Sequence, residues 1–317
     1  MSKNNKKMLI IGGPTGAGKS AISVELAKEI GGEIISCDSM QVYKRMNIGT
    51  AKISKEEMQG IPHYLIDVAE PSEAFDVHSF SVLGHEALSK IYQNNHIPIL
   101  VGGTGFYIQA LLYDIDFTDE GNDDKIREDL REFAEKYGNH ALHEKLQDID
   151  PVSYETIHEN NVKRVIRAIE YYEKNHEPIS KHNEEERGRT SPYDFRFFVL
   201  TDEREKLYSN IERRIDKMMD DGLLAEVQAL YDEGLRQTDV SMQGLSYRQL
   251  IDYIEGKCTL DEAVARIKLE TRHYAKRQLT WFRREPDAVF INKSDFTDMN
   301  AIQQYILNNL CLREHVK

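Results

Sequence analysis

Cysteine is scarce in this chain: Cys37, Cys258 and Cys311 are the only three in 317 residues. The set is odd and has no paired spacing, which argues against a disulfide framework or a structural zinc site and points to a reducing compartment. Long apolar runs are also missing. After a polar, basic stretch over residues 1–7, the run at 8–11 is interrupted by glycines, and that at 97–101 is only a strand's length. Both are too short for a signal peptide or a membrane span, so a cytosolic protein with no membrane partner is expected. Positive charge is in deficit, with 41 Lys and Arg against 54 Asp and Glu and a net charge of -13. Such a balance argues against a protein that coats nucleic acid non-specifically. Internal repeats and low-complexity tracts are absent as well.

The charge that is present is segregated. Residues 266–284 hold seven basic side chains and one acid, Glu270, whereas 114–129 is strongly acidic. A directional binding cleft needs such segregation.

Residues 8–11 read as a strand, and Ile22, Leu26 and Ile30 recur at helical spacing, so the chain opens as strand, tight loop, helix. Gly31 and Gly32 stop that helix, and a second strand follows over 33–36 and ends at Asp38. Residues 63–67 form a strand candidate, 81–94 a helix, 97–101 a buried strand and 106–112 a further helix. This alternation predicts an α/β core with a parallel sheet covered by helices on both faces and a ligand site at the carboxyl ends of its strands. From 116 to 192 the pattern is helical, with helices expected over 125–137, 141–149 and 162–175. The strand at 195–200 then returns to the core. The economical reading is an all-helical domain, 116–192, inserted into an α/β core made of 1–115 and 193–317. The remainder is expected to be mostly helical up to Arg284, with a strand at 289–291 and a final helix over 299–311.

Gly13, Pro14, Thr15, Gly16, Ala17, Gly18, Lys19 and Ser20 match the phosphate-loop pattern G-x-x-x-x-G-K-S/T. Four fixed positions recur by chance in about one chain in a hundred of this length. Here the match also follows a strand and opens a helix, as the chemistry requires. Glycines let backbone N–H groups turn toward phosphate oxygens, and the helix N-terminus adds its positive end. Lys19 supplies an ammonium, and the Ser20 hydroxyl can ligate magnesium. These residues predict a substrate carrying a diphosphate or triphosphate.

Asp38 follows the second strand on the same side of the sheet. An acid there serves as a general base, as a water-mediated magnesium contact or as a loop hydrogen-bond acceptor, and the residue alone does not decide. Gly102, Gly103, Thr104 and Gly105 form another tight turn. Because the strand at 97–101 ends in glycines rather than an acid, ATP hydrolysis is weakly supported.

Taken together, GGPTGAGKS at 12–20, CDSMQVYKRMNIGTAK at 37–52, VGGTGFYIQALL at 101–112 and TRHYAKRQLTWFR ending at Arg283 closely resemble the bacterial tRNA dimethylallyltransferase (tRNA isopentenyltransferase) family. The motifs span nearly the whole chain. The resemblance implies a core related to P-loop kinases and transfer of the dimethylallyl group of dimethylallyl diphosphate to N6 of the adenosine at tRNA position 37. It also implies Mg2+, a phosphate loop that holds a diphosphate rather than ATP, and a helical insertion that grips the anticodon stem-loop; the enzyme is expected to be a monomer.

Residue by residue, the resemblance makes Asp38 the base, assigns Thr15 to the leaving oxygen, and adds Lys19 and Arg214, with Arg213 adjacent, at the diphosphate. Ser20 and Asp38 are the implied metal contacts. Ser39, Met40, Gln41 and Thr104 are implied at the target nucleotide or the tRNA. Further tRNA contacts fall on Arg127, Lys163, Arg164, Val165, Ile166, Arg167, Gln243, Tyr247, Arg248, Lys276, Arg277, Gln278, Thr280, Trp281 and Arg283. One departure stands out: Ser246 occupies the place before Tyr247 where the family usually has glycine. If that position needs a positive φ, serine fits poorly.

Overall fold

The structure is a computed structural model that describes residues 6–115 and 124–310. Six strands, β1 (Lys7–Gly12), β2 (Gly32–Cys37), β3 (His63–Tyr64), β4 (Ile97–Gly102), β5 (Asp194–Thr201) and β6 (Ala288–Asn292), form one sheet in the order β3-β2-β4-β1-β5-β6. Every pairing is parallel. In chain order the helices are α1 (Lys19–Ile30), α2 (Lys55–Met58), α3 (Val77–Gln93), α4 (Gly105–Leu112), α5 (Asp124–Tyr137), α6 (Asn139–Glu144), α7 (Leu146–Ile149), α8 (Pro151–Thr156), α9 (Val162–Asn175), α10 (Ile179–Arg187), α11 (Arg204–Asp220), α12 (Leu223–Asp232), α13 (Tyr247–Ile254), α14 (Leu260–Phe282) and α15 (Met299–Leu310).

The chain divides into two compact units, Met1–Asp114 with Pro192–Lys317, and Ile115–Ser191. In the first, the two-residue period of the strands sends Leu9, Ile11, Ile34, Ile99, Val101, Phe198 and Leu200 to one face. There they pack with Ile22 and Leu26 of α1 and with Ile302 and Ile306 of α15. Phe197, on the opposite face of β5, meets Phe282 of α14 edge-on, with ring centroids 6.0 Å apart. The second unit is helical among its described residues. Leu130, Ala134, Leu142, Leu146, Val165, Ile166 and Ile169 form its core.

Some boundaries depart from the sequence expectation for local reasons. α3 starts at Val77 rather than 81, because the Asp76 side chain accepts the Ser79 N–H and caps the helix. The helix expected over 141–149 is two short helices meeting at Lys145. A helix that the sequence pattern did not announce, α8, opens with Pro151 in its first turn and Asp150 as its cap. β3 has only two residues of the stretch expected at 63–67.

The register fixes where the site lies. Gly12 of β1 is level with Gly102 of β4, and Gly102 is level with Cys37 of β2. The three strands therefore end together, and the phosphate loop, the Gly103–Gly105 turn and Asp38 emerge side by side.

Candidate active site

Gly13, at φ +141°, turns the chain out of β1 beside the Leu200 carbonyl, a conformation and a closeness that a side chain would not tolerate. The loop closes with Lys19 Nζ donating to the Gly13 and Pro14 carbonyls, each at 2.9 Å. Its outer side is held from far along the chain. Gln278 of α14 accepts the Thr15 N–H on Oε1 at 3.0 Å and donates from Nε2 to the Gly103 carbonyl at 3.0 Å. One buried amide thus clamps the phosphate loop to the second glycine turn.

A cavity of about 370 Å³ opens over these strand ends, lined among others by Thr15, Lys19, Ser20, Asp38, Arg214 and Tyr274. Burial lowers the Lys19 pKa from 10.5 to about 8, against the pull of Asp38 and with a smaller push from Arg214. Arg214 is lowered too, by burial, and Asp38 opposes that shift. The three groups are therefore close enough to sense one another. Two desolvated cations facing one carboxylate leave a surplus of positive charge, which an anion stabilises. Arg213, by contrast, is exposed and donates to Asn210, so Arg214 is the arginine that reaches the cavity.

Asp38 Oδ1 accepts the N–H groups of Met40 at 2.9 Å and Gln41 at 3.4 Å, and Oδ2 has no hydrogen-bond partner among the described residues. Ser39 N–H donates to Thr104 Oγ1 at 3.2 Å, linking the ends of β2 and β4. Gln41 turns inward: its Oε1 accepts from Ser36 Oγ, and its Nε2 donates to the Thr50 and Ala51 carbonyls at 3.3 and 3.4 Å. Tyr274, which no sequence motif singled out as a site residue, lies beside Thr104 and Gln278. Burial first and Asp38 second push its hydroxyl up to about 12, so it stays a neutral donor.

For magnesium, the donor set is spare. No group of three or more His, Cys, Asp or Glu side chains able to hold a metal occurs among the described residues. Ser20 and Asp38 line the same cavity as the two cations. One hydroxyl and one carboxylate fit an ion that completes its shell with phosphate oxygens and water.

Several residues implied at the tRNA are committed elsewhere. Tyr247 is fully buried and donates from its hydroxyl to Glu226 Oε1 at 2.7 Å, so it offers RNA no surface. Val165 and Ile166 are buried in the core of the helical unit, because at one residue per 100° they fall on its apolar face. Gln278 spends both ends of its amide on the clamp. Trp281 packs against Gly105 and meets Phe282 edge-on at 5.2 Å, which settles much of its ring on packing. Arg127 pairs with the buried Glu170 at 2.8 Å. Met40, Gln243, Arg248 and Arg277 do line the cavity, with Arg248 paired to Glu270. Lys276, Thr280 and Arg283 are exposed on or just after α14, and Lys163, Arg164 and Arg167 are exposed on α9.

Ser246 resolves the one departure from the family pattern. It sits at φ +80° and ψ -47°, so the position does demand a positive φ, and serine adopts it. Its N–H donates to Gln249 Oε1 at 3.0 Å, which helps hold the strained residue in place.

Comparison with known proteins agrees with this geometry. The family model described as IPP transferase matches residues 41–285. A tRNA dimethylallyltransferase of Lachnoclostridium phytofermentans is 51% identical over 310 residues, which cover 98% of this chain and 99% of that one. Among solved structures, a tRNA isopentenylpyrophosphate transferase from Bacillus halodurans shares 42% identity at a TM-score of 0.72, covering 96% of this chain and 97% of its own. A eukaryotic dimethylallyltransferase solved acting on tRNA shares 30% identity at a TM-score of 0.82, over 96% of this chain and 79% of its own. On the matched span, on identity over nearly the full chain and on the parallel sheet with its phosphate loop, this chain belongs to the IPP transferase family.

Proposed function

We propose that this protein is a tRNA dimethylallyltransferase. It transfers the dimethylallyl group of dimethylallyl diphosphate to N6 of the adenosine at tRNA position 37, and diphosphate is released. The observation that carries the reading is the convergence of Lys19, Arg214 and Asp38 on one cavity at the strand ends. Two cations suit a diphosphate, and a carboxylate with an unpartnered oxygen suits an amine.

An adenine amine is a poor nucleophile because its lone pair is delocalised into the ring. Asp38 accepts a hydrogen bond from N6, orients the nitrogen toward the allylic C1 and takes the proton as the N–C bond forms. The C1–O bond breaks with its electron pair passing to the diphosphate. Lys19, Arg214, the loop N–H groups and the Thr15 hydroxyl stabilise that growing charge, and such preorganised electrostatics are often the largest catalytic term. Ser20 and Asp38, the latter through water, would hold magnesium, which supplies further charge neutralisation at the diphosphate when bound. The adenine must leave its stack to reach Asp38, at a cost of a few kcal/mol that is lowest in a loop.

The exposed Lys163, Arg164 and Arg167 support assigning the helical unit to the anticodon stem-loop, and the exposed Lys276 and Arg277 of α14, with Arg283 just after it, support a second tRNA contact. The reading includes a monomer working in the cytoplasm, where tRNA is found; no helix among the described residues is long and apolar enough to cross a membrane. Labelled dimethylallyl diphosphate incubated with tRNA or with AMP tests the proposal. Label appearing in tRNA but not in AMP is expected; label in AMP alone would reassign the acceptor.

A further inference from the structure

Glu226, on α12, has no part in the chemistry above, yet it lies where two walls of the cavity are joined. Its Oε2 accepts the backbone N–H groups of Asn47 and Ile48, both at 2.8 Å. Its Oε1 accepts the Gly49 N–H at 3.0 Å and the Tyr247 hydroxyl at 2.7 Å. Three successive N–H groups closing on one carboxylate make an anion-holding concavity, filled here by the protein's own side chain.

Both segments held in this way shape the cavity. Gly49, Thr50 and Ala51 line it from the loop that follows Asp38, and Ser246 and Arg248, flanking Tyr247, line it from the start of α13. The contact is close: a methyl group added to Gly49 would lie 2.6 Å from the Tyr247 ring. From Gly49 the connection runs back to the base. Gln41 Nε2 holds the Thr50 and Ala51 carbonyls, and the Gln41 N–H donates to Asp38 Oδ1.

We propose that Glu226 is a positioning residue for the acceptor nucleobase: it ties the loop that carries Asp38 to the segment that carries Tyr247, and so sets where Asp38 meets the attacking amine. This rests on the reading of Asp38 as the base for an adenine acceptor. Lys19 and Gln278, which shape the phosphate loop, make no hydrogen bond to Glu226, so the donor half of the site is independent of it. All four of its partners are donors, and both of its oxygens are used. Glutamine, although isosteric, would turn an NH2 group toward donors at one end and cannot replace it.

The test is E226Q in the full chain, with steady-state transfer to tRNA and calorimetric binding of dimethylallyl diphosphate and of tRNA. Transfer should lose about 10- to 100-fold in kcat, the scale of a misplacement near 1 Å. Both dissociation constants should stay within about twofold, with an unchanged number of donor sites per chain. If E226Q binds donor at reduced stoichiometry through misfolding, Tyr247→Phe, which removes one of the four donors, should show the same split at about 2- to 10-fold. A kcat within twofold of wild type, or donor affinity falling in step with kcat, would overturn the proposal. An inactive wild type would instead overturn the acceptor assignment and this inference with it.

Discussion

Raising the pH above about 8 should weaken binding of dimethylallyl diphosphate through a single group, Lys19. Burial holds its pKa near 8 rather than 10.5, a difference equivalent to roughly 3 kcal/mol. In the free protein at pH 9 only about one in ten molecules carries this charge, and binding must then draw a proton from solvent. The dissociation constant should rise about tenfold for each pH unit above 8, up to the pH where the bound lysine itself titrates. The phosphate ionisations are complete below this window, so they do not mask the effect. Calorimetry at pH 9 in two buffers of different ionisation enthalpy should report uptake of nearly one proton, and K19M should bind weakly with no such slope.

The same shift fixes the sign of a stability effect. Between pH 8 and 10.5 the unfolded chain holds a proton on this lysine that the folded chain has released, so Lys19 destabilises the fold fully below that window and progressively less across it. Relative to K19M, which has no such titration, the wild-type protein should therefore gain up to roughly 3 kcal/mol of stability between pH 8 and 10.5. A flat affinity between pH 7.5 and 9.5, or no proton uptake, would refute the reasoning.

Asp38→Ala should reduce transfer by roughly 10²- to 10⁴-fold while leaving the melting temperature near wild type, and near-normal turnover would remove it from the base role. Ser246→Gly should stabilise the protein by about 1 kcal/mol, because glycine adopts φ +80° without strain; a lower melting temperature would contradict this. Lys163→Ala with Arg167→Ala should raise the tRNA dissociation constant and flatten its salt dependence by up to about one unit of slope for each phosphate no longer neutralised. Donor affinity should not change, and an unaltered salt slope between roughly 50 and 200 mM would dismiss the α9 surface.

The phosphate loop was legible because its signals are local: an apolar strand, glycines and a helical period within about twenty residues. The parallel sheet was legible for the same reason, repeated along the chain. Residues that act through distant partners left no such trace. In the sequence Gln278 is marked only as an implied tRNA contact, and its clamp to a loop residue 263 positions away has no local signal. Glu226 reads as an ordinary acid on an amphipathic helix until its oxygens are seen among the 47–49 amides. Tyr247 shows the converse error: a motif tyrosine suggests contact with ligand, but its burial against Gly49 gives it a supporting place. For Ser246 the sequence framed the right question, and only the backbone angle answered it.

The Gln278 clamp also bears on the order in which the protein becomes competent as it is made. β1 is synthesised first, but its neighbour β5 begins at Asp194, and the residue that clamps the loop after β1 comes later still, in α14. The helical unit is contiguous and has its own core, so it can fold while the loop waits for its partner. A chain interrupted before α14 would carry a folded helical unit and an unclamped phosphate loop. If the protein binds dimethylallyl diphosphate as proposed, that binding reports that α14 has been made, and ribosome-bound fragments ending near residue 260 should hold none.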